Sequence, residues 1–216
     1  MKRKVGVLIS GRGSNMAALI EAARASDYPA EIACVVSSRP TAPGLAIARA
    51  TGIAAFGLNQ KDHESRDSFD QAMHAILSSA GVELVACAGF MRLIGDDFVN
   101  AWSGRLINIH PSLLPLFKGV DTHARALEAG MRLHGCSVHF VTTELDAGPI
   151  IAQAAVPILP EDDAETLAAR VLTAEHRLYP AAVALVASGK AVLSGNRVRL
   201  HAPVDEGQRL WSPDVA

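Results

Sequence analysis

A short apolar run, Val5 to Ile9, stops at Ser10-Gly11-Arg12-Gly13-Ser14-Asn15, and a segment with helical spacing follows at once. Asn15 to Ala25 places Met16, Leu19, Ile20 and Ala23 on one side. A buried strand that turns through glycines into an amphipathic helix commits a chain to strand–helix–strand units, since parallel neighbours need a crossover. The pattern repeats. Glu31 to Val36 reads as a second strand and Pro43 to Thr51 as a short helix closed by Gly52. Ile53 to Phe56 reads as a third strand, Arg66 to Ser79 as a longer helix, and Leu84 to Ala88 as a fourth strand. On that longer helix Phe69, Met73, Ile76 and Leu77 form the apolar side. The alternation predicts an α/β fold: a Rossmann-like, mostly parallel sheet with helices on both faces.

The second half changes character. Arg105 to Ile109 reads as a strand followed by Pro111 and Pro115, and Thr122 to Ala129 as a helix. Cys136 to Val141 and Ile150 to Val156 bracket the loop Thr142 to Pro149 and predict an antiparallel strand pair. Asp163 to Ala187 is a long helical pattern that Pro180 should bend or divide. Val192 to Leu200 reads as a hairpin around Gly195-Asn196, and the tail after Pro203 as polar.

Charge and cysteine usage narrow the function class. The net charge of -2 comes without a Lys/Arg block, against nucleic-acid binding. Three scattered cysteines, Cys34, Cys87 and Cys136, form no C-x-x-C pair; the first two read as buried thiols, and the set suits a reducing cytoplasm. No apolar run approaches the roughly 18 residues of a membrane span. The basic Met1 to Lys4 start lacks a cleavage site after its apolar stretch, so no targeting segment is expected.

The turn between Ile9 and Asn15 has two readings. One is tight packing alone. The other is an anion site, where glycines admit a ligand to unpaired helix N–H groups and Ser14 or Asn15 caps the helix. A dinucleotide fingerprint fails, because Met16 takes the third glycine position and Ser37-Ser38-Arg39 replaces the ribose-binding acid. Arg39 leaves a 2′-phosphate conceivable, but a single phosphate monoester suits the short turn better.

Asn108 and His110 are two apart on a strand, so they share a face at its carboxyl end, and Pro111 stops the ladder there. An amide N–H₂ can hold a developing oxyanion and an imidazolium can donate a proton. An ordinary strand end with a structural histidine is the plain alternative. Asp146, in Leu145-Asp146-Ala147-Gly148-Pro149, is either a turn former or a carboxylate that favours the charged imidazole. A metal on His110, His123 and His139 matches no common spacing, and no metal is expected. Ser10 and Ser112 sit in no nucleophile elbow. Phe90 to Ile94 reads as core or as a wall for a flat heterocycle.

Taken together, Val7 to Asn15, Ala88-Gly89-Phe90-Met91-Arg92, Asn108-Ile109-His110-Pro111-Ser112-Leu113-Leu114-Pro115 and Leu145 to Pro149 resemble the phosphoribosylglycinamide formyltransferase family of folate-dependent formyltransferases. The resemblance runs from about Val5 to about Tyr179. It implies formyl transfer from 10-formyltetrahydrofolate to glycinamide ribonucleotide in purine synthesis, with these small molecules as partners and neither nucleic acid nor membrane. It implies that Asn108, His110 and Asp146 are catalytic, and that Gly13, Ser14, Asn15, Met16, Ala17 and Glu175 bind the ribonucleotide. Arg66, Met91, Arg92, Leu93, Ile94 and Asn108 are implied at the folate site, with Thr142 to Asp146 covering the pterin. Arg12 stands where many members carry a small or amide residue. The expected organisation is one formyltransferase domain over 1–216, with a phosphate-binding half, 1–104, and a catalytic, folate-binding half, 105–216. Methionyl-tRNA formyltransferase and formyltetrahydrofolate deformylase are the near rivals. The first normally adds a C-terminal domain and a basic surface, the second an N-terminal regulatory domain. A non-catalytic nucleotide-binding module would account for the turn but not for Asn108, His110 and Asp146.

Overall fold

The computed structural model describes residues 1–201 and Ser212. The polar tail after Pro203 otherwise lies outside the described residues. In chain order the elements are β1 (Arg3–Ile9), α1 (Ser14–Ala23), β2 (Ala30–Ser37), α2 (Pro43–Ala50), β3 (Ala54–Gly57), α3 (Arg66–Ser79) and β4 (Leu84–Cys87). Then follow α4 (Asp96–Ala101), β5 (Leu106–His110), α5 (Thr122–Glu128), β6 (Leu133–Phe140), β7 (Ile150–Pro157), α6 (Ala164–Ala187), β8 (Ala191–Ser194) and β9 (Arg197–Leu200).

Seven strands form one sheet in the order β3-β2-β1-β4-β5-β6-β7. The first five are mutually parallel; β6 runs antiparallel to β5, and β7 to β6. The expected α/β class and the antiparallel addition both hold, and β8 and β9 form the small hairpin. The strand order reverses between β1 and β4, and in open α/β sheets ligands gather beyond the carboxyl ends of the strands at such a point.

The pleat divides β1 between two cores. Val5, Val7 and Ile9 join Leu19, Ile20, Tyr179 and Val183 on one face. Leu8 joins Val36, Phe69, Met73 and Leu77 on the other. A Cβ on Gly6 would collide with the Leu77 side chain, so glycine there lets α3 lie close on the sheet.

Several local expectations need correction. Asp96–Ala101 forms a helix that the sequence reading missed; six residues with Phe98 and Val99 buried are too few to show a period. β6 starts at Leu133, three residues earlier than read. Pro180 does not divide α6, which is continuous over 24 residues. A proline inside a helix forfeits one ladder bond. Here Glu175 and Tyr179 before it and Ala182, Val183 and Val186 after it are all buried, so packing holds both halves of the helix in place. Cys136 is buried like Cys34 and Cys87, and all three are free thiols.

Candidate active site

Three parallel neighbours, β1, β4 and β5, end at the same sheet edge, with Leu8 beside Cys87 and Cys87 beside Asn108. The glycine turn, the Ala88–Ile94 segment and the Asn108–His110 strand end therefore emerge side by side.

At the turn, Gly13 is the N-cap of α1 with φ 76, and no side chain caps the helix. This corrects the expectation that Ser14 or Asn15 caps it. Ser14 is the first helical residue, and the Asn15 amide donates to Glu175 Oε2 of α6 at 2.7 Å. The first-turn N–H groups thus have no side-chain acceptor, which suits an anion. Met16 is fully buried in the core, and its thioether end packs beneath Gly13, 3.0 Å from where a Cβ there would stand. Gly44, at the start of α2, donates its N–H to the Gly11 carbonyl, and a Cβ there would stand 3.1 Å from that oxygen. Glu175 is 6% exposed, and burial raises its carboxyl above the ordinary range despite the Asn15 bond. Asn15 Oδ1 is buried with no partner among the described residues.

Next to the turn, the Met91 N–H donates to Ser10 Oγ at 2.8 Å, and Ser10 Oγ lies 2.6 Å from Ser38 Oγ. Ser10 is thus a tie between two site segments, a use the sequence reading did not find. Phe90, Arg92, Leu93, Ile94, Asn108, His139 and Val141 to Asp146 line a cavity of about 130 Å³. Met91 does not line it; its side chain is 68% exposed. Arg92 lies over the Phe69 ring at 4.1 Å. Arg66, exposed at the start of α3, and Arg92 both oppose the rise that burial imposes on the Asp70 carboxyl. A separate cleft of about 190 Å³ between α3 and α4 is lined by Asp67, Asp70, Gln71, His74, Asp97 and Phe98.

The structure brings Asn108, His110 and Asp146 together. His110 is 5% exposed; its Nδ1 lies 3.4 Å from Asp146 Oδ2 and its Nε2 3.0 Å from the Phe117 carbonyl oxygen. The Gly119 N–H donates to the same Asp146 oxygen at 2.9 Å. Asn108 Nδ2 is 3.2 Å from His139 Nε2, directly across the β5–β6 ladder. Phe117, Asp121 and Asp146 have φ of 54, 56 and 47, the non-glycine left-handed residues among those described, and two of them contact His110. Each such residue stores about 1–2 kcal/mol of strain that its surroundings must hold. The surroundings are visible. Buried Ser137 Oγ accepts from the Leu114 N–H and from Gln153, and donates to the Ser112 carbonyl. Ser112 Oγ donates to the Leu116 carbonyl, so Ser112 braces the loop. A Cβ on Gly148 would collide with the Phe140 carbonyl, which lets the Asp146 loop cross the end of β6 closely.

Burial disfavours charge on the neighbouring histidines. His134 is pushed down to about 4 by desolvation and by His123, and His123 and His139 are lowered mainly by burial. Among the described residues no group of three or more acidic, histidine or cysteine side chains could hold a metal, and no helix is long and apolar enough to cross a membrane.

Residues 3–183 match the family described as formyl transferase. The chain is 42% identical over 204 residues to the phosphoribosylglycinamide formyltransferase of Escherichia coli (strain K12), covering 94% of each. It is 50% identical over 188 residues to the trifunctional purine biosynthetic protein adenosine-3 of Gallus gallus; that match takes in 87% of this chain but 19% of the larger protein. The crystal structure of glycinamide ribonucleotide transformylase 1 from Symbiobacterium toebii superposes with a TM-score of 0.90 at 45% identity, over 92% of this chain and 94% of that one. With the match spanning most of its length and the site standing at the matched strand ends, the chain belongs to the formyl transferase family.

Proposed function

We propose that this chain transfers the formyl group of 10-formyltetrahydrofolate to the amine of glycinamide ribonucleotide, giving formylglycinamide ribonucleotide in purine synthesis. The observation that carries the reading is the convergence of Asn108, His110 and Asp146 at one sheet edge, two strands from an uncapped helix N-terminus. The partners are two small molecules and no metal is needed. One domain with a phosphate-binding half, 1–104, and a catalytic half, 105–216, is the matching organisation, and the buried free thiols accord with a cytoplasmic setting.

In this reading the backbone of Gly13 to Ala17 holds the phosphate, and Asn15 with Glu175 offers acceptors to the rest of the ribonucleotide. The apolar side chains of Phe90, Leu93, Ile94 and Val141 flank the heterocycle, and Arg92 faces its acidic tail; Arg66, which does not line this cavity, would meet only the outer end of that tail. The folate, when bound, supplies the formyl carbon. The substrate amine forms the new C–N bond, the bond to the folate nitrogen breaks, and that nitrogen receives the proton that the amine loses. Asn108 donates an amide N–H to the oxygen that becomes negative, and His110 exchanges its Phe117 contact for the same oxygen. Asp146 stands 3.4 Å from His110 Nδ1, which orients the ring, and accepts the Gly119 N–H, which holds that loop in place.

The test is an assay of purified protein with synthetic glycinamide ribonucleotide and 10-formyltetrahydrofolate. Formylated ribonucleotide is the expected product. Release of tetrahydrofolate at the same rate with water alone would indicate a deformylase, and initiator methionyl-tRNA as sole acceptor would overturn the purine assignment.

A further inference from the structure

His139 has no role in the trio described above, yet it is 2% exposed and stands directly opposite Asn108. The β6–β7 register shifts between Val138 and His139. Such an irregularity re-aims side chains beside functional sites. The hydrogen-bond partners of the ring fix its chemistry. Nδ1 lies 2.9 Å from the Phe140 carbonyl oxygen, which can only accept, so Nδ1 carries a hydrogen. In a neutral ring Nε2 is then a bare acceptor, and the group 3.2 Å away must donate to it. That group is the Asn108 amide nitrogen. The Asn108 carbonyl oxygen cannot take this place without facing a lone pair.

We infer that His139 is a positioning residue: a neutral, Nδ1-protonated imidazole that sets which way the Asn108 amide points. One amide hydrogen is held by His139. The other has no acceptor among the described residues and is left for the developing oxyanion. The inference rests on the oxyanion reading of Asn108. The charged and titratable groups facing His139 are Asp146, whose Oδ1 is 3.8 Å from Nε2, on the β6–β7 loop, and His110 on β5. Asp146 favours a charged His139 and His110 opposes it; desolvation is the largest influence and keeps the ring neutral. Protonation at low pH would give Nε2 a hydrogen, draw the Asn108 carbonyl toward it and turn the amide donor away. Activity should therefore fall as pH falls through the depressed titration of His139.

The test has two arms. In the wild-type protein, long-range ¹⁵N–¹H NMR at neutral pH should show His139 neutral with hydrogen on Nδ1. A ring protonated on Nε2, or on both nitrogens, overturns the inference whether or not any variant folds. In the second arm, His139→Leu should lower kcat by about 10–100-fold with little change in either KM, because a donor is misaimed and no substrate contact is lost. His139→Gln, which keeps an acceptor for Asn108, should recover most of that loss and remove the acid limb. Adding His139→Leu to Asn108→Ala should cost almost nothing more. Full turnover in folded His139→Leu beside a disabled Asn108→Ala overturns the positioning role alone. Full turnover in Asn108→Ala overturns the oxyanion reading and this role with it.

Discussion

The two ends of the site are built from different material. The glycine turn at the end of β1 works through backbone: an uncapped helix N-terminus, a left-handed Gly13, and Gly44 letting α2 close behind it. The edge formed by β5 and β6 works through side chains, and each contact depends on another, from Phe140 through His139 to Asn108 and from Gly119 through Asp146 to His110. A backbone site tolerates exchange of most side chains around it. A chain of side-chain contacts fails when any one member changes. Substitutions at the turn should thus act on binding, and those at the β5–β6 edge on turnover.

The largest expected effect is at the side-chain edge. Asn108→Ala should lower kcat by about 10²–10³, the usual cost of one oxyanion donor, with both KM values near wild type. A KM effect that exceeds the kcat effect would erase the contrast. Asp146→Asn comes next. It keeps an acceptor for the Gly119 N–H and removes the charge beside His110. Turnover at neutral pH should fall by about 10²-fold, and combining it with His110→Ala should cost much less than the product of the two, because the pair acts as one unit. Multiplicative losses in steady-state kinetics would separate the two residues.

Gly13→Ala probes the backbone end. The added Cβ meets Gly44 Cα at 3.1 Å and must take φ 76, so the fold should lose about 1–2 kcal/mol in a denaturant titration. KM for the ribonucleotide should rise about tenfold, a loss of about 1.4 kcal/mol, while KM for the folate holds. Equal rises in both would mean that the ends are not separable.

The smallest effect concerns Glu175. Its folded-state titration is raised by burial, so the folded protein binds this proton more tightly than the unfolded chain. The stability linked to it is present below the ordinary glutamate range and is lost as pH rises through the raised folded value. Glu175→Gln keeps the acceptor for Asn15 and removes that loss, so the variant should be the more stable at pH 7 and lose its advantage in acid. Thermal melts across pH 4–8 in which wild type remains the more stable would show that the buried charge carries no cost.

The same contrast explains what the sequence reveals. Strand, turn and helix at the N-terminal end are local, so apolar runs, Gly52 and the Arg66–Ser79 period place them within a few residues. The short α4 carries too few residues to show a period. The turn sequence points to a cap at Ser14 or Asn15, but Gly13 takes the cap position and Asn15 has a partner 160 residues away. At the other end, Asn108 and His110 share a face by strand parity, but the approach of Asp146 depends on a loop path that spacing does not encode. His139 was legible as a histidine on a strand. Its pairing with Asn108 needs the β5–β6 register, which is set by tertiary packing.

For anyone seeking to harden this protein, the left-handed Phe117, Asp121 and Asp146 pose a conflict. Glycine or asparagine relaxes such a backbone, and a screen scored on melting temperature alone would select changes there early. Phe117 and Asp146 are also the residues whose carbonyl and carboxylate meet His110. Heat resistance gained at Asp146 would draw down the rate because the carboxylate itself is lost, whereas Phe117 keeps its carbonyl under any substitution, so stabilising changes belong at Phe117, at Asp121 or on the outer faces of α3 and α6.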